Sequence, residues 1–581
     1  MKEKILNILR SRRLTPPSVF EIKLALRNFS TKEKIVMLVL ILTLSVGILG
    51  AWVELQKKFA AIVPIEGGSL REGIVGTPYL VNPILASSDA DRDMASLIYS
   101  GLMKPDGKGG LEKNLAEDYS VSEDGLLYTF TLKENLSWHD DKPINADDIV
   151  FTVNAAKNPA IKSPSRANWE GVEAEIIDQR TIRFILKKPY APFIENGTLG
   201  ILPKHIWKNA TPEQFSLSEF NRQPIGSGPY AVRKTERSSA GIITAYELES
   251  FNKYALGEPL IPKIKIFFYN SESDMVSDYE AGNIDSIGSI TVSGVQKLRR
   301  AGRSLKTLIL PRVFGIFFNQ NKSEIILDQN VRLALNAAVN KESVVENVLG
   351  GFGTALNGPL PPKITGAEES ETSFNLEEAK NILEKNGWNY NEETGIREKR
   401  VKNKPTAELA ISISTANTPE LVKTAETVKN MWQELGVKTE VRLYEIGDLN
   451  QSVIRPRDYE SLLFGQVVGW DPDPFAFWHS SQRNDPGLNI ALYANKTVDG
   501  ILEKARTTNE AEARKDKYLE FEKEIIKDAP AVFLYSPYYL YVAPQNLKGF
   551  DTETLTTPAE RFANIHKWHL YTAMVWKIFV N

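Results

Sequence analysis

At 581 residues the chain is too long to close around one hydrophobic core and is expected to divide into two or three lobes. It has no cysteine, which excludes a disulfide framework, thiolate zinc sites, thiol chemistry and a lipid attached to cysteine. The first 34 residues hold nine Lys/Arg against three Asp/Glu. With 70 basic and 73 acidic residues in all, the remainder is acidic by about nine charges, a poor match for nucleic acid.

Residues 35–53, IVMLVLILTLSVGILGAWV, form an uncharged apolar run. At about 1.5 Å per residue it is long enough to cross a hydrocarbon core of about 30 Å. The excess of positive charge ahead of it places residues 1–34 in the cytoplasm and sends the chain outward after Trp52. The leader is long, the run exceeds the apolar region of a signal peptide, and no A-x-A site follows before Pro64. It therefore reads as an uncleaved, single-pass anchor, with 54–65 as a short tether carrying Lys57 and Lys58.

From Gly68 onward the pattern is mixed α and β. Leu126, Tyr128, Phe130 and Leu132 alternate with Leu127, Thr129, Thr131 and Lys133, as do Ile182, Phe184 and Leu186 with Arg183 and Lys187, which predicts short strands. Asn145 is placed to cap a helix whose third position is Asp148, with Ile149, Val150 and Val153 facing inward. Asn375 with Glu378 predicts an N-cap and reciprocal acid ahead of Leu376, Ala379, Ile382 and Leu383, with Gly387 as the stop. Thr418 and Pro419 open a further helix that ends at Gly436, and a strand over 437–444 follows. No repeat of 20 to 50 residues is present. The proline-rich turns at 359–362 and 472–474 are the loops most suited to face a ligand.

The usual catalytic patterns are missing. None of the histidines, His139, His205, His479, His566 and His569, belongs to H-E-x-x-H, and the IHKWH run reads as a packed terminal segment. There is no GxxxxGK followed by Ser or Thr, and Gly226, Ser227 and Gly228 have the wrong spacing for a nucleophile elbow. The pairs Asp140/Asp141 and Asp471/Asp473 read as turn formers that bond their own backbone rather than as acid and base. No enzyme activity, cofactor or metal is expected.

A family resemblance emerges from the order of the motifs. TPYLVNPIL (77–85) and the segment 97–153, with its Trp138-His139-Asp140 turn, come first. GSGPY (226–230), EAGNID (280–285), the segment 317–345, GPLPP (358–362), GWDPDPFAFWHSSQ (469–482) and APAVFLYSPYYLY (529–541) follow. In this order, over about residues 66–581, the chain resembles the extracellular solute-binding proteins of peptide and nickel ABC importers. The resemblance implies an α/β, periplasmic-binding-protein-like two-lobed clamp with an extra third domain, preceded here by one N-terminal transmembrane helix. It assigns 66–98, 196–315 and 537–581 to lobe I, 99–195 to the extra lobe II, and 316–536 to lobe III. The hinge is then expected at two crossings near 315 and 537.

The implied function is capture of short peptides outside the cell membrane and their delivery to an ABC permease. Alternatives are the same clamp holding a nickel chelate or an oligosaccharide, and a tethered receptor or scaffold uncoupled from transport. A clamp for peptides of varied sequence must hold the shared parts: backbone, α-ammonium and carboxylate. In the family an aspartate shortly after a Gly-Trp pair holds the ammonium. Here the segment between Gly469-Trp470 and the DPDP turn is short, so Asp471 or Asp473 takes that role, or both merely shape the turn. Trp470 is a candidate for stacking on the ligand, Arg332 for its carboxylate and Asn319 for its backbone, each with a packing or turn role as the alternative. Tyr230, ending the GSGPY turn, is the remaining candidate, with a structural role as its alternative.

Overall fold

The computed structural model describes residues 19–299, 302–362, 374–400, 405–469 and 471–579. These fall into two compact units. The smaller one holds the apolar helix, the strand Ala60–Ile65 and the strand Tyr571–Trp576; the larger is Glu66–Leu570.

In the smaller unit the helix Thr31–Phe59 starts at a capping box in which Ser30 and Glu33 satisfy each other's free N-terminal groups. At 29 residues it spans about 44 Å, more than a hydrocarbon core, and none of its residues is buried. The tether expected over 54–65 is ordered: 54–59 continue the helix, and Ala60–Ile65 pairs antiparallel with Tyr571–Trp576. Residues 571–576, expected in lobe I, join this unit through that pairing.

The larger unit is organised by one mixed sheet of twelve strands. One half runs Lys438–Tyr444, Ala410–Ala416, Ser461–Val467 and Arg312–Phe318; the other runs Ser286–Ile287, Ser69–Val75, Lys263–Tyr269, Ile243–Ser250 and Tyr230–Arg237. The long strand Ala531–Pro544 joins them. Its first part pairs with Arg312–Phe318, and its second pairs with Arg303–Ile309. The segments pairing with it meet at Leu310-Pro311; the crossing is expected near 315. The long strand changes partners at Ser536-Pro537, and Ser536 Oγ donates to the Leu310 carbonyl at 3.1 Å. Two prolines that cannot donate to a ladder thus mark both crossings.

The hydrophobic cores respect that line. The buried members of one cluster stop at Leu310 and resume at Tyr539, while those of two others lie between Val313 and Tyr535. A separate antiparallel sheet, in the order Ala116–Val121, Leu127–Leu132, Thr181–Ile185 and Glu173–Ile176, carries the predicted alternation, with Tyr128, Phe130, Ile182 and Phe184 buried.

Local chemistry fits most of the sequence expectations. Asn145 and Asp148 form the capping box of Ala146–Lys157. Asn375 caps Leu376–Lys385 by accepting from the Glu378 amide at 2.9 Å, but its own amide goes to the Ala337 carbonyl and not to Glu378. Thr418 precedes Pro419–Glu434 without a side-chain cap. The GSGPY turn packs on the end of the helix Asp89–Ile98, so tightly that a Cβ on Gly226 would lie 1.9 Å from the Ile98 carbonyl oxygen. His139 locks the same turn, donating from Nε2 to the Gly228 carbonyl at 3.0 Å and accepting from the Gly226 amide at Nδ1. Burial lowers its pKa to about 4, keeping it neutral. In the IHKWH segment His566 and Trp568 are buried.

Candidate functional site

The helix Asp89–Ile98 and the turn Pro558–Phe562 border a cavity of about 430 Å³, lined by Arg92, Ser96, Tyr99, Lys104 and Glu560 among others. It shares Pro105, Ser165, Asn168, Thr198, Leu199 and Glu560 with a pocket of about 210 Å³ that reaches Glu195. The 3₁₀ segment Ala191–Thr198, which turns into the unit after the apolar Pro192-Phe193-Ile194, positions Glu195.

Gly469 and Asp471 approach that end. The Asp471 amide donates to Glu195 Oε1 at 2.5 Å, and a Cβ on Gly469 would sit 3.2 Å from Glu195 Oε2. Burial pushes the Glu195 carboxyl up to about 8; the Asp471 amide pulls the other way, and the charges of Asp471, Glu560 and Asp473 add to the rise. Glu560 is pushed up to about 7, again chiefly by burial, although Thr556 donates to it through both amide and hydroxyl. Among the described residues neither carboxyl has a cationic partner.

The two loop aspartates are arranged differently. Asp471 accepts from Arg514 Nη2 and from the Tyr518 hydroxyl at 3.2 Å. Asp473 accepts from Arg506 Nε at 2.9 Å and Nη2 at 2.5 Å, and from Tyr190 at 3.3 Å. Arg506 also lies 3.8 Å over the Phe475 ring, so the DPDP turn is clamped onto the helices Lys496–Thr507 and Ala511–Asp528. These carboxylates are already matched by guanidinium groups.

Three other candidates have structural partners. Tyr230 is fully buried and donates to the Ile261 carbonyl at 2.9 Å. Buried Asn319 donates to the Arg457 carbonyl at 2.9 Å and accepts from the Asn321 amide, holding a turn. Arg332 spends its guanidinium on the backbone carbonyls of Ile326, Leu327, Asp528 and Ala529. Trp470 lies outside the described residues. His479 stacks on Phe475 with ring centroids 4.0 Å apart and meets Ser481 at 2.7 Å. Among the described residues no group of three or more His, Cys, Asp or Glu is placed to hold a metal.

Sequence reasoning passes over Glu195 and Glu560, which belong to no motif and meet only through the fold. The one local signal is an acid ending an apolar run at Pro192-Phe193-Ile194. It also passes over Arg312, the first residue beyond the Leu310-Pro311 break. Burial lowers the Arg312 pKa, and its Nε lacks a hydrogen-bond partner among the described residues.

A second buried cluster lies in the same unit. Arg561 donates to Asp93 at 2.8 and 2.7 Å and to Glu72 at 3.2 Å, and Glu72 also accepts from Tyr541 at 2.9 Å and from Ser286. Burial works against the Arg561 charge, but the facing Asp93 and Glu72 outweigh it and hold the proton.

The chain is similar to known proteins over most of its length. The pattern of the family described as "Bacterial extracellular solute-binding proteins, family 5 Middle" matches residues 110–487, more than half of the chain. The oligopeptide-binding protein AppA of Bacillus subtilis is 27% identical over 527 residues, covering 89% of this chain and 94% of AppA. The structure of AppA in complex with a nonapeptide superposes with a TM-score of 0.67 at 26% identity, covering 88% of this chain and all of that one. NikZ from Campylobacter jejuni, in complex with Ni(L-His), gives a TM-score of 0.69 at 28% identity over 86% of this chain and 99% of NikZ.

Proposed function

We propose that this chain, which belongs to the bacterial extracellular solute-binding proteins of family 5, captures short peptides for an ABC importer while anchored in the membrane by its N-terminal helix. In this reading residues 1–34 lie in the cytoplasm, the helix crosses the bilayer, and the larger unit works outside and hands ligand unaltered to a permease. The parts before Leu310 and after Ser536 form one lobe with the 99–195 insertion beside it, the part between forms the facing lobe, and the two crossings are the hinge.

The observation that carries the reading is the acidic end of the pocket. A peptide's α-ammonium is a compact cation, and Glu195 with Glu560 is a buried acidic site without one. Its arrival restores the ionised carboxylate, so binding releases the proton that Glu195 holds. The clamped aspartates Asp471 and Asp473 position the loop that covers this end, and Arg312 supplies a guanidinium for the ligand carboxylate. AppA with its bound nonapeptide supports a peptide as the guest.

A pool of random di- to nonapeptides should raise the melting temperature of the full chain in detergent, because a ligand that binds only the folded form stabilises it by mass action. No shift, together with native mass spectra free of bound peptide, would remove peptides as the ligand. The second reading, favoured by the likeness to NikZ, is a nickel chelate of an amino acid. Native mass spectrometry of the isolated protein separates the two by mass and isotope pattern.

A further inference from the structure

The short strand pair beside the apolar helix has a surface chemistry unusual for a soluble ribbon. Ala60 stands opposite Trp576 and Ile62 opposite Met574, which puts Trp576, Met574 and Ile62 on one face. Ile62 is 69% exposed and Met574 60%. The chain then continues into the turn Lys577–Phe579, where Ile578 is 81% and Phe579 72% exposed.

Direction decides what this surface meets. The helix leaves the apolar run after Val53, and Ala60–Ile65 carries the chain onward. Because Tyr571–Trp576 is antiparallel to that strand, it brings the chain back toward the helix. Trp576 meets Trp52 edge to face, with ring centroids 6.2 Å apart, and Lys577 Nζ donates to the Lys58 carbonyl at 3.0 Å. Trp52 is the penultimate residue of the apolar run, where an indole with one apolar and one polar edge suits the membrane interface. Ile578 and Phe579 follow from that contact, and Lys58 and Lys577 supply positive charge at the same level, beside Lys57, which is paired with Glu54 at 3.4 Å.

We propose that Trp576, Ile578 and Phe579, with Lys577, form a second membrane contact that lies in the headgroup region of the outer leaflet, so that the chain is fixed to the bilayer at two points of its sequence. This rests on the reading of Thr31–Phe59 as a spanning anchor. The occupant is a lipid surface because the apolar groups are fastened to the base of that helix and bordered by lysines.

The absence of cysteine makes the test direct. Single variants Ile578→Cys, Leu44→Cys and Lys108→Cys of the full chain are labelled with an environment-sensitive fluorophore in vesicles of three parts phosphatidylcholine and one part phosphatidylglycerol. Quenching by lipids carrying a nitroxide at shallow or deep positions is then read. All three positions are exposed, so labelling leaves the packing intact. The expected result is deep quenching at 44, shallow quenching with a blue-shifted emission at 578, and no lipid quenching at 108. A probe at 578 as water-exposed as that at 108, with 44 still in the bilayer, overturns the second contact and leaves the anchor standing. A probe at 44 outside the bilayer overturns the anchor and this inference together.

Discussion

Two buried acidic clusters in the larger unit have opposite settings. At Arg561 a guanidinium sits against Glu72 and Asp93, and hydroxyls of Tyr541 and Ser286 complete the acceptors. At the pocket end Glu195 and Glu560 share a small cavity with no cation among the described residues, and burial lifts both toward neutrality. The first cluster has its own cation, one guanidinium facing two acids that burial also raises, and holds segments distant in sequence together. In the proposed reading, the second receives a positive group from outside. Burial of charge alone therefore does not mark a binding site; a buried acid beside a cavity without its counter-ion does.

Removing the internal cation gives the largest expected effect. Arg561→Ala leaves Glu72 and Asp93 buried without a cationic partner and should cost about 3–5 kcal/mol of stability in denaturant titration. A loss under about 1 kcal/mol would erase the structural half of the contrast. At the other cluster, Glu195→Gln should weaken peptide binding by about ten- to a hundredfold, the loss of a charge-assisted hydrogen bond worth about 1.5–3 kcal/mol. Unchanged affinity in calorimetry would show that the ammonium is held elsewhere.

The same substitution should have the opposite sign on stability. Glu195 holds its proton up to about pH 8 in the folded state, against an ordinary value of 4.5. The folded form therefore binds more protons across that window, and stability falls as pH rises through it. Glu195→Gln should match the parent near pH 4.5 and exceed it near pH 8.5 by on the order of 2 kcal/mol, read from melting curves at both values. A gain at the low pH instead would contradict the burial argument. The smallest effect is expected at the clamped turn: Asp473→Asn removes a half-buried pair with Arg506 and should cost about 1 kcal/mol, with a weaker change in affinity than Glu195→Gln.

Much of the scaffold was legible locally. The alternation at 126–132, the Asn145 box and the long apolar run each follow from neighbours a few residues apart. What sequence reading lost depends on distant partners. Asn375 gives its amide to Ala337 across the fold, so the reciprocal Glu378 bond is not made. Arg332, Asn319 and Tyr230 have residue types suited to a ligand, but backbone carbonyls that only the fold brings near take their donors. Asp471 and Asp473 stand at the expected loop, and Arg514 and Arg506, from helices far along the chain, decide their charge balance. Glu195 and Glu560 carry no motif because their significance is a shared cavity.

The central claim is that this cavity receives a peptide ammonium. Titration calorimetry at pH 7 tests it with the tightest peptide from the random pool, in free and N-acetylated forms, in two buffers of different ionisation enthalpy. The free peptide should bind with net proton release that Glu195→Gln diminishes, and the acetylated form at least about tenfold more weakly. Equal affinity of the two forms, with heats independent of buffer, would contradict the account.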